Sequence, residues 1–81
     1  MGTERTRETT DRTLNAVGPR LKQLRQRRDI TLIDLAEETG ISTSTLSRLE
    51  AGLRHPTLEQ LLPLARAYGV TLDELVDAPP T

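Results

Sequence analysis

The chain contains no cysteine, which excludes a disulfide framework and any zinc site built on thiolates. Tyr68 is its only aromatic residue, so it has no row of aromatic platforms on which unpaired bases could stack. No apolar run approaches the roughly 18 residues of a membrane-spanning helix. The N-terminus shows no apolar stretch of the secretory kind, and a cytoplasmic location is the expectation. His55 is the sole histidine. With no cysteine near it and no nucleophile in an evident constellation, it makes neither a metal site nor a catalytic group. The carboxylates fall on wet helix faces, and 81 residues are few for a closed pocket. No enzyme, cofactor or metal is expected. A chain of this size forms one small domain, burying about 60% of the surface that its unfolded form exposes.

What is present is helical patterning, clearest in Thr31 to Gly52, TLIDLAEETGISTSTLSRLEAG. Leu32, Leu35 and Ala36 fall at i, i+3 and i+4 and make one apolar face. Gly40 is the natural stop, because a left-handed residue after a helix carries no Cβ penalty only in glycine. Ile41 turns inward. Ser42 restarts the helix as an N-cap, its side-chain oxygen accepting a free backbone N–H. Leu46 and Leu49 face the core. Thr43, Ser44, Ser47 and Arg48 are left on the outside, three hydroxyls and one long cation with little to bury and much to donate. Two helices across a short glycine turn, the second presented outward, make a helix-turn-helix.

The stretch LAEETGISTSTLSRLEAG resembles the helix-turn-helix of the lambda-repressor and Cro (XRE) family. The family pattern has Leu-Ala, then three residues on a Gly, an apolar residue, Ser or Thr, and an apolar–Ser–x–apolar–Glu–x–Gly ending. The likeness runs from about Val17 to Val76. It implies an all-α, compact five-helix domain that binds double-stranded DNA sequence-specifically and regulates transcription, with the third of its helices in the major groove. By the same resemblance, Thr43 and Ser44 contact base edges from the first turn. Arg48 lies one turn further on the face of Ser44 and has the chemistry to bond guanine O6 and N7. Ser47 is the fourth candidate for the base-contacting face, against the alternative that its hydroxyl bonds back to its own helix.

Phosphate contacts are expected from Arg20, near the start of the first family helix, and from Arg54 and His55 in the loop after the reading helix. Ser42 and Thr57 sit where helix N-termini favour anions. The resemblance also implies an ion pair between Arg25 and Glu50, holding the first helix against the third. One position departs from the family. Many relatives carry Gln just after the cap of the second helix, where its amide touches the DNA backbone; here the residue is Leu32.

Net charge is −1, which by itself does not favour nucleic acid. The distribution does: residues 20–28 carry Arg20, Lys22, Arg25, Arg27 and Arg28 with no acid, while acids gather in 29–40 and 57–81. A neutral sum can hide a basic face. The plain alternative is a solvated helix surface.

Around the motif, residues 1–15 are rich in Thr and in charges of both signs, and read as a disordered arm. The domain is expected over 16–77 and a proline-bearing linker stub over 78–81. The first helix is expected from near Val17 to Arg28 with Pro19 in its first turn and Val17, Leu21, Leu24 and the stem of Arg28 inward. Thr31, Thr57 and Thr71 read as caps. Leu58, Leu61, Leu62 and Ala65 read as the inner face of the fourth helix, flanked by Leu64 and Tyr68. Pro63 is expected to bend that helix without breaking it. Modules of this kind commonly act as homodimers on half-sites one turn apart, and the family commonly adds a C-terminal sensing or dimerisation domain. The competing expectation is a protein–protein interaction module of the same fold, of the antitoxin or bridging-factor type.

Overall fold

Residues 3–76 are described by a computed structural model. Five helices make up the described chain: α1 Thr3–Arg27, α2 Leu32–Thr39, α3 Thr43–Glu50, α4 Leu58–Tyr68 and α5 Leu72–Val76. α1 packs on α3 and α5, α2 on α3 and α4, and α4 on α5. Val17, Leu21, Leu24, Leu35, Leu46, Leu49, Leu64, Ala65, Tyr68 and Leu75 are the buried core. Ile30, Leu32, Ala36, Ile41, Leu61, Val70, Leu72 and Val76 pack around it, half-buried. The all-α, lambda-repressor-like architecture implied by the resemblance is the one observed.

α1 is longer than expected. It starts at Thr3 and not near Val17, so the segment read as a disordered arm continues the helix. Extending a formed helix costs far less than nucleating one. Arg7 and Asp11, and Glu8 and Arg12, stand four residues apart with opposite charge, a spacing that adds a few tenths of a kcal/mol per pair. Pro19 consequently lies inside α1 rather than in its first turn, where its absent N–H removes one rung of the helix. The linker expected over 78–81 lies outside the described residues.

Helix ends follow the local chemistry. Thr31 Oγ1 accepts from Asp34 N at 3.1 Å and Thr71 Oγ1 from Glu74 N at 3.1 Å. Thr57 and Gln60 complete a reciprocal capping box at α4. α1 closes through Asp29, which takes φ 51°, the one left-handed non-glycine residue described. Asp29 N donates to Gln26 O, and Ile30 N to Arg25 O, each at 3.2 Å. α4 runs unbroken across Pro63.

The inner face of α4 differs from the expected one. Leu58 and Leu62 are exposed, at 59% and 42%, while Leu64 and Tyr68 are buried rather than flanking. Positions 58, 61, 62, 65 and positions 61, 64, 65, 68 are both apolar stripes of helical spacing, offset by one turn. The neighbours on α2 and α5 select the second.

Gly18 sets how closely α1 and α3 approach. A Cβ there would lie 2.6 Å from Leu49 O, 3.0 Å from Glu50 O and 3.2 Å from Gly52 N. The C-terminal end of α3 therefore rests directly on the backbone of α1.

Candidate nucleic-acid interface

The site is built on the turn between α2 and α3. Gly40 adopts φ 77° and its N–H donates to Ala36 O at 2.8 Å. The Thr39 hydroxyl donates to Leu35 O at 2.7 Å and accepts from Ile41 N at 3.2 Å, so the turn is tied at both ends. Ser42 Oγ accepts from Thr45 N at 3.2 Å and lies 2.9 Å from Thr45 Oγ1. Leu46 and Leu49 are then driven into the core at 1% exposure each. Thr43, Ser44, Ser47 and Arg48 all fall on the exposed face of α3, one contiguous hydroxyl-and-guanidinium surface.

The rear of α3 is fastened by Arg25. Its Nε donates to Glu50 Oε2 at 2.7 Å, its Nη2 to Glu50 Oε1 at 3.0 Å, and its Nη1 to Ile30 O at 3.0 Å. The pair is largely withdrawn from water, with side-chain exposures of 16% and 8%. Such a fork fixes orientation as well as distance. The hydrogen bond to Glu50 raises the pKa of the Arg25 guanidinium above its ordinary value, with burial opposing. The ion pair implied by the resemblance is thus present and ties α1, the α1–α2 connection and α3 into one frame.

Tyr68 lies beneath this frame. Its ring is buried and its hydroxyl has no hydrogen-bond partner among the described residues. Burial pushes the phenol up to about 12; the Glu50 carboxylate adds to the rise, and Arg25 and Arg28 oppose it. Arg28 lays its guanidinium over the ring, 5.6 Å from the centroid, the cation–π geometry.

Arg54, His55 and Thr57 are exposed in the connection between α3 and α4, beside Leu53 at 79% exposure. The Thr57 hydroxyl is engaged in its cap, as is that of Ser42. Arg20 is not brought to this surface. Its Nε and Nη2 donate to Glu74 O at 3.4 and 3.3 Å, at the end of α5. The interaction places a cation against a carbonyl of the short helix α5. The partner is a backbone oxygen 54 positions along the chain, which no local pattern announces. Leu32 is half-buried where α2 begins, against the core and near Ser47 and Lys22. Lys22 lines the same depression as Ser47, a proximity visible only once α1 and α3 are docked. Among the described residues no group of three His, Asp or Glu side chains could hold a metal ion. No helix among them is long and apolar enough to cross a membrane.

These features define a small helical domain presenting a polar second helix across a tied glycine turn. A family profile described as helix-turn-helix matches residues 21–75, and the chain belongs to that family. Relatives include the HTH-type transcriptional regulator DdrOP3 of Deinococcus deserti, 45% identical over 58 residues, covering 72% of this chain and 45% of that protein. The HTH-type transcriptional regulator y4dJ of Sinorhizobium fredii is 40% identical over 60 residues, covering 74% and 78%. The immunity repressor protein of Bacillus phage phi105 is 35% identical over 60 residues, covering 74% and 42%. The chain spans about half the length of most of the curated relatives it matches, for example 45%, 51% and 49% of three of them.

Proposed function

We propose that this chain is a sequence-specific duplex-DNA-binding module that regulates transcription, inserting α3 into the major groove. One observation carries the reading. α3 buries Leu46 and Leu49 and turns Thr43, Ser44, Ser47 and Arg48 outward, with none of the four folded back into the core. Arg48 is the principal reader, suited to a bidentate bond to guanine, and Thr43 and Ser44 add weaker contacts from the first turn. Arg54 and His55 flank that surface and serve the phosphate backbone, with the N–H groups at the starts of α3 and α4 beside Ser42 and Thr57.

The module acts as a homodimer on two half-sites. Leu58 and Leu62, exposed on one face of α4, are apolar surface available for pairing. The longer relatives make a further sensing or dimerisation domain part of the proposal. The cytoplasm, at the nucleoid, is the corresponding location.

Arg48→Ala tests the reading. The variant should keep the melting temperature of the parent chain and lose preference for one guanine, worth about 1–3 kcal/mol of discrimination. Unchanged sequence preference in a folded Arg48→Ala variant would remove Arg48 from the reading head.

A further inference from the structure

α4 leaves one face without a partner in the fold. Leu58, Glu59, Leu62 and Arg66 are exposed along it, and Leu58 and Leu62 keep 59% and 42% of their surface in water. Positions 58, 62 and 66 form one i, i+4 row, with 59 beside its first member. The face is thus apolar along its first half and its middle, acidic at one end and basic at the other. Glu59 falls in the first turn of α4 and Arg66 in its last. They stand about 10 Å apart along the axis, too far to pair within the helix. Neither enters a hydrogen bond or ion pair among the described residues.

We infer that this face pairs with the same face of a second copy of the chain, the two α4 helices lying antiparallel about a two-fold axis at Leu62. The inference rests on the homodimer reading and gives it a geometry. Antiparallel helices crossing at Leu62 bring each residue before it against the one equally far beyond it. Leu62 then meets the partner's Leu62, and Leu58 meets the aliphatic stem of the partner's Arg66. The Glu59 carboxylate comes within reach of the guanidinium of the partner's Arg66. Two-fold symmetry makes each unlike contact twice. A parallel pair would instead set Glu59 on the partner's Glu59 and Arg66 on the partner's Arg66, a like-charge penalty that excludes it. The antiparallel pair also opposes the two helix dipoles. One face of an 11-residue helix falls well short of the ~1,200 Å² that a stable interface buries. Two copies on neighbouring half-sites of one duplex stand at high effective concentration. The pair therefore closes on DNA and makes binding there cooperative, while the free chain pairs only when concentrated.

The chain has no cysteine, so a single introduced thiol reports the geometry. Leu62→Cys and Leu58→Cys, each checked for folding by thermal melting, are mildly oxidised at millimolar protein without DNA. Leu62→Cys should form a disulfide dimer about tenfold faster than Leu58→Cys, whose two thiols would lie about 12 Å apart along the axis, beyond disulfide reach. Equal rates, or a faster Leu58→Cys, overturn the inference. Glu59→Arg and Arg66→Glu test the charges on a duplex carrying two enriched half-sites, against a duplex carrying one. Each variant alone sets like charges opposite one another and should lose about tenfold in cooperativity between the half-sites. An equimolar mixture of the two sets unlike charges opposite and should regain most of it. Cooperativity that the single variants retain, or that the mixture does not recover, overturns the inference. Selective cross-linking of Leu62→Cys in a chain that binds no duplex leaves the pairing standing and removes the duplex-binding reading. Duplex binding without selective cross-linking removes the pairing alone.

Discussion

Gly18→Ala sets two physical effects against each other in one position. Within a helix, alanine is favoured over glycine by about 1 kcal/mol, because glycine loses more backbone freedom on folding. On propensity alone the substitution would stabilise α1. The added Cβ, however, would stand 2.6 Å from Leu49 O and 3.0 Å from Glu50 O. The first distance is short of an ordinary carbon–oxygen contact by about 0.7 Å. Both obstacles are backbone atoms at the end of a helix, so no side-chain rotation relieves the clash. α1 and α3 must separate, and Val17 and Leu21, at 0% and 2% exposure, are next to the point of separation. Interiors packed to crystal density do not absorb such a shift freely, and overpacking of this kind costs about 1–3 kcal/mol. The expected net result is a loss of about 1–2 kcal/mol, read as a fall in melting temperature of roughly 4–8 °C per kcal/mol for a domain of this size. Thermal unfolding followed by helical circular dichroism measures it. Gly18→Val should fall further. A melting temperature raised by Gly18→Ala would refute the close approach of α1 to α3, and with it the rigid seating of α3.

Three other perturbations probe the same frame. Tyr68 titrates higher in the fold than in the unfolded chain, up to about 12 from an ordinary 10. The unfolded chain therefore loses its proton first, and stability, intact below about pH 10, should decline toward pH 12 by about 1.4 kcal/mol per unit. Tyr68→Phe should abolish that contribution in alkaline denaturant titrations and, because the hydroxyl is buried without a partner, should not destabilise at neutral pH. Glu50→Ala should cost about 3 kcal/mol by stranding the Arg25 guanidinium, and Arg25→Met with Glu50→Leu should recover most of the loss; denaturant midpoints of the single and double variants decide it. Asp29→Gly should stabilise by about 0.5–1 kcal/mol, because it relieves a left-handed residue at φ 51° and removes a negative charge from the C-terminal end of α1. A lowered denaturant midpoint would show that the Asp29 side chain contributes something its backbone conformation does not reveal.

The parts of the fold that could be read from the chain are those governed by near neighbours. Thr31, Ser42 and Thr57 cap where their hydroxyls precede helical runs, and Gly40 turns left-handed where a helix must stop. The outward residues of α3 follow from the inward pair Leu46 and Leu49. The Arg25–Glu50 pair came from family likeness and not from spacing, since its members lie on different helices. Features set by distant partners were not legible. The choice between the two apolar stripes of α4 needed the positions of α2 and α5. Arg20 looked like a free cation because its acceptor is a backbone oxygen with no sequence signature. Lys22 looked like one member of a basic run until α1 was laid beside α3. The first part of α1 was read as an arm because residues 1–15 contain almost no apolar side chains, yet a helix started elsewhere can continue from Thr3 onward without them.

The most direct test of the account is selection of the folded chain on a pool of random duplex DNA, with affinity for the enriched sequence then measured over a salt series. The account predicts an enriched motif containing a guanine that Arg48→Ala no longer requires, repeated at half-sites about one helical turn apart, with affinity that falls steeply as salt rises. Absence of any duplex binding, even at low salt, by a chain that melts cooperatively would contradict it and would favour a protein-binding role for the same surface.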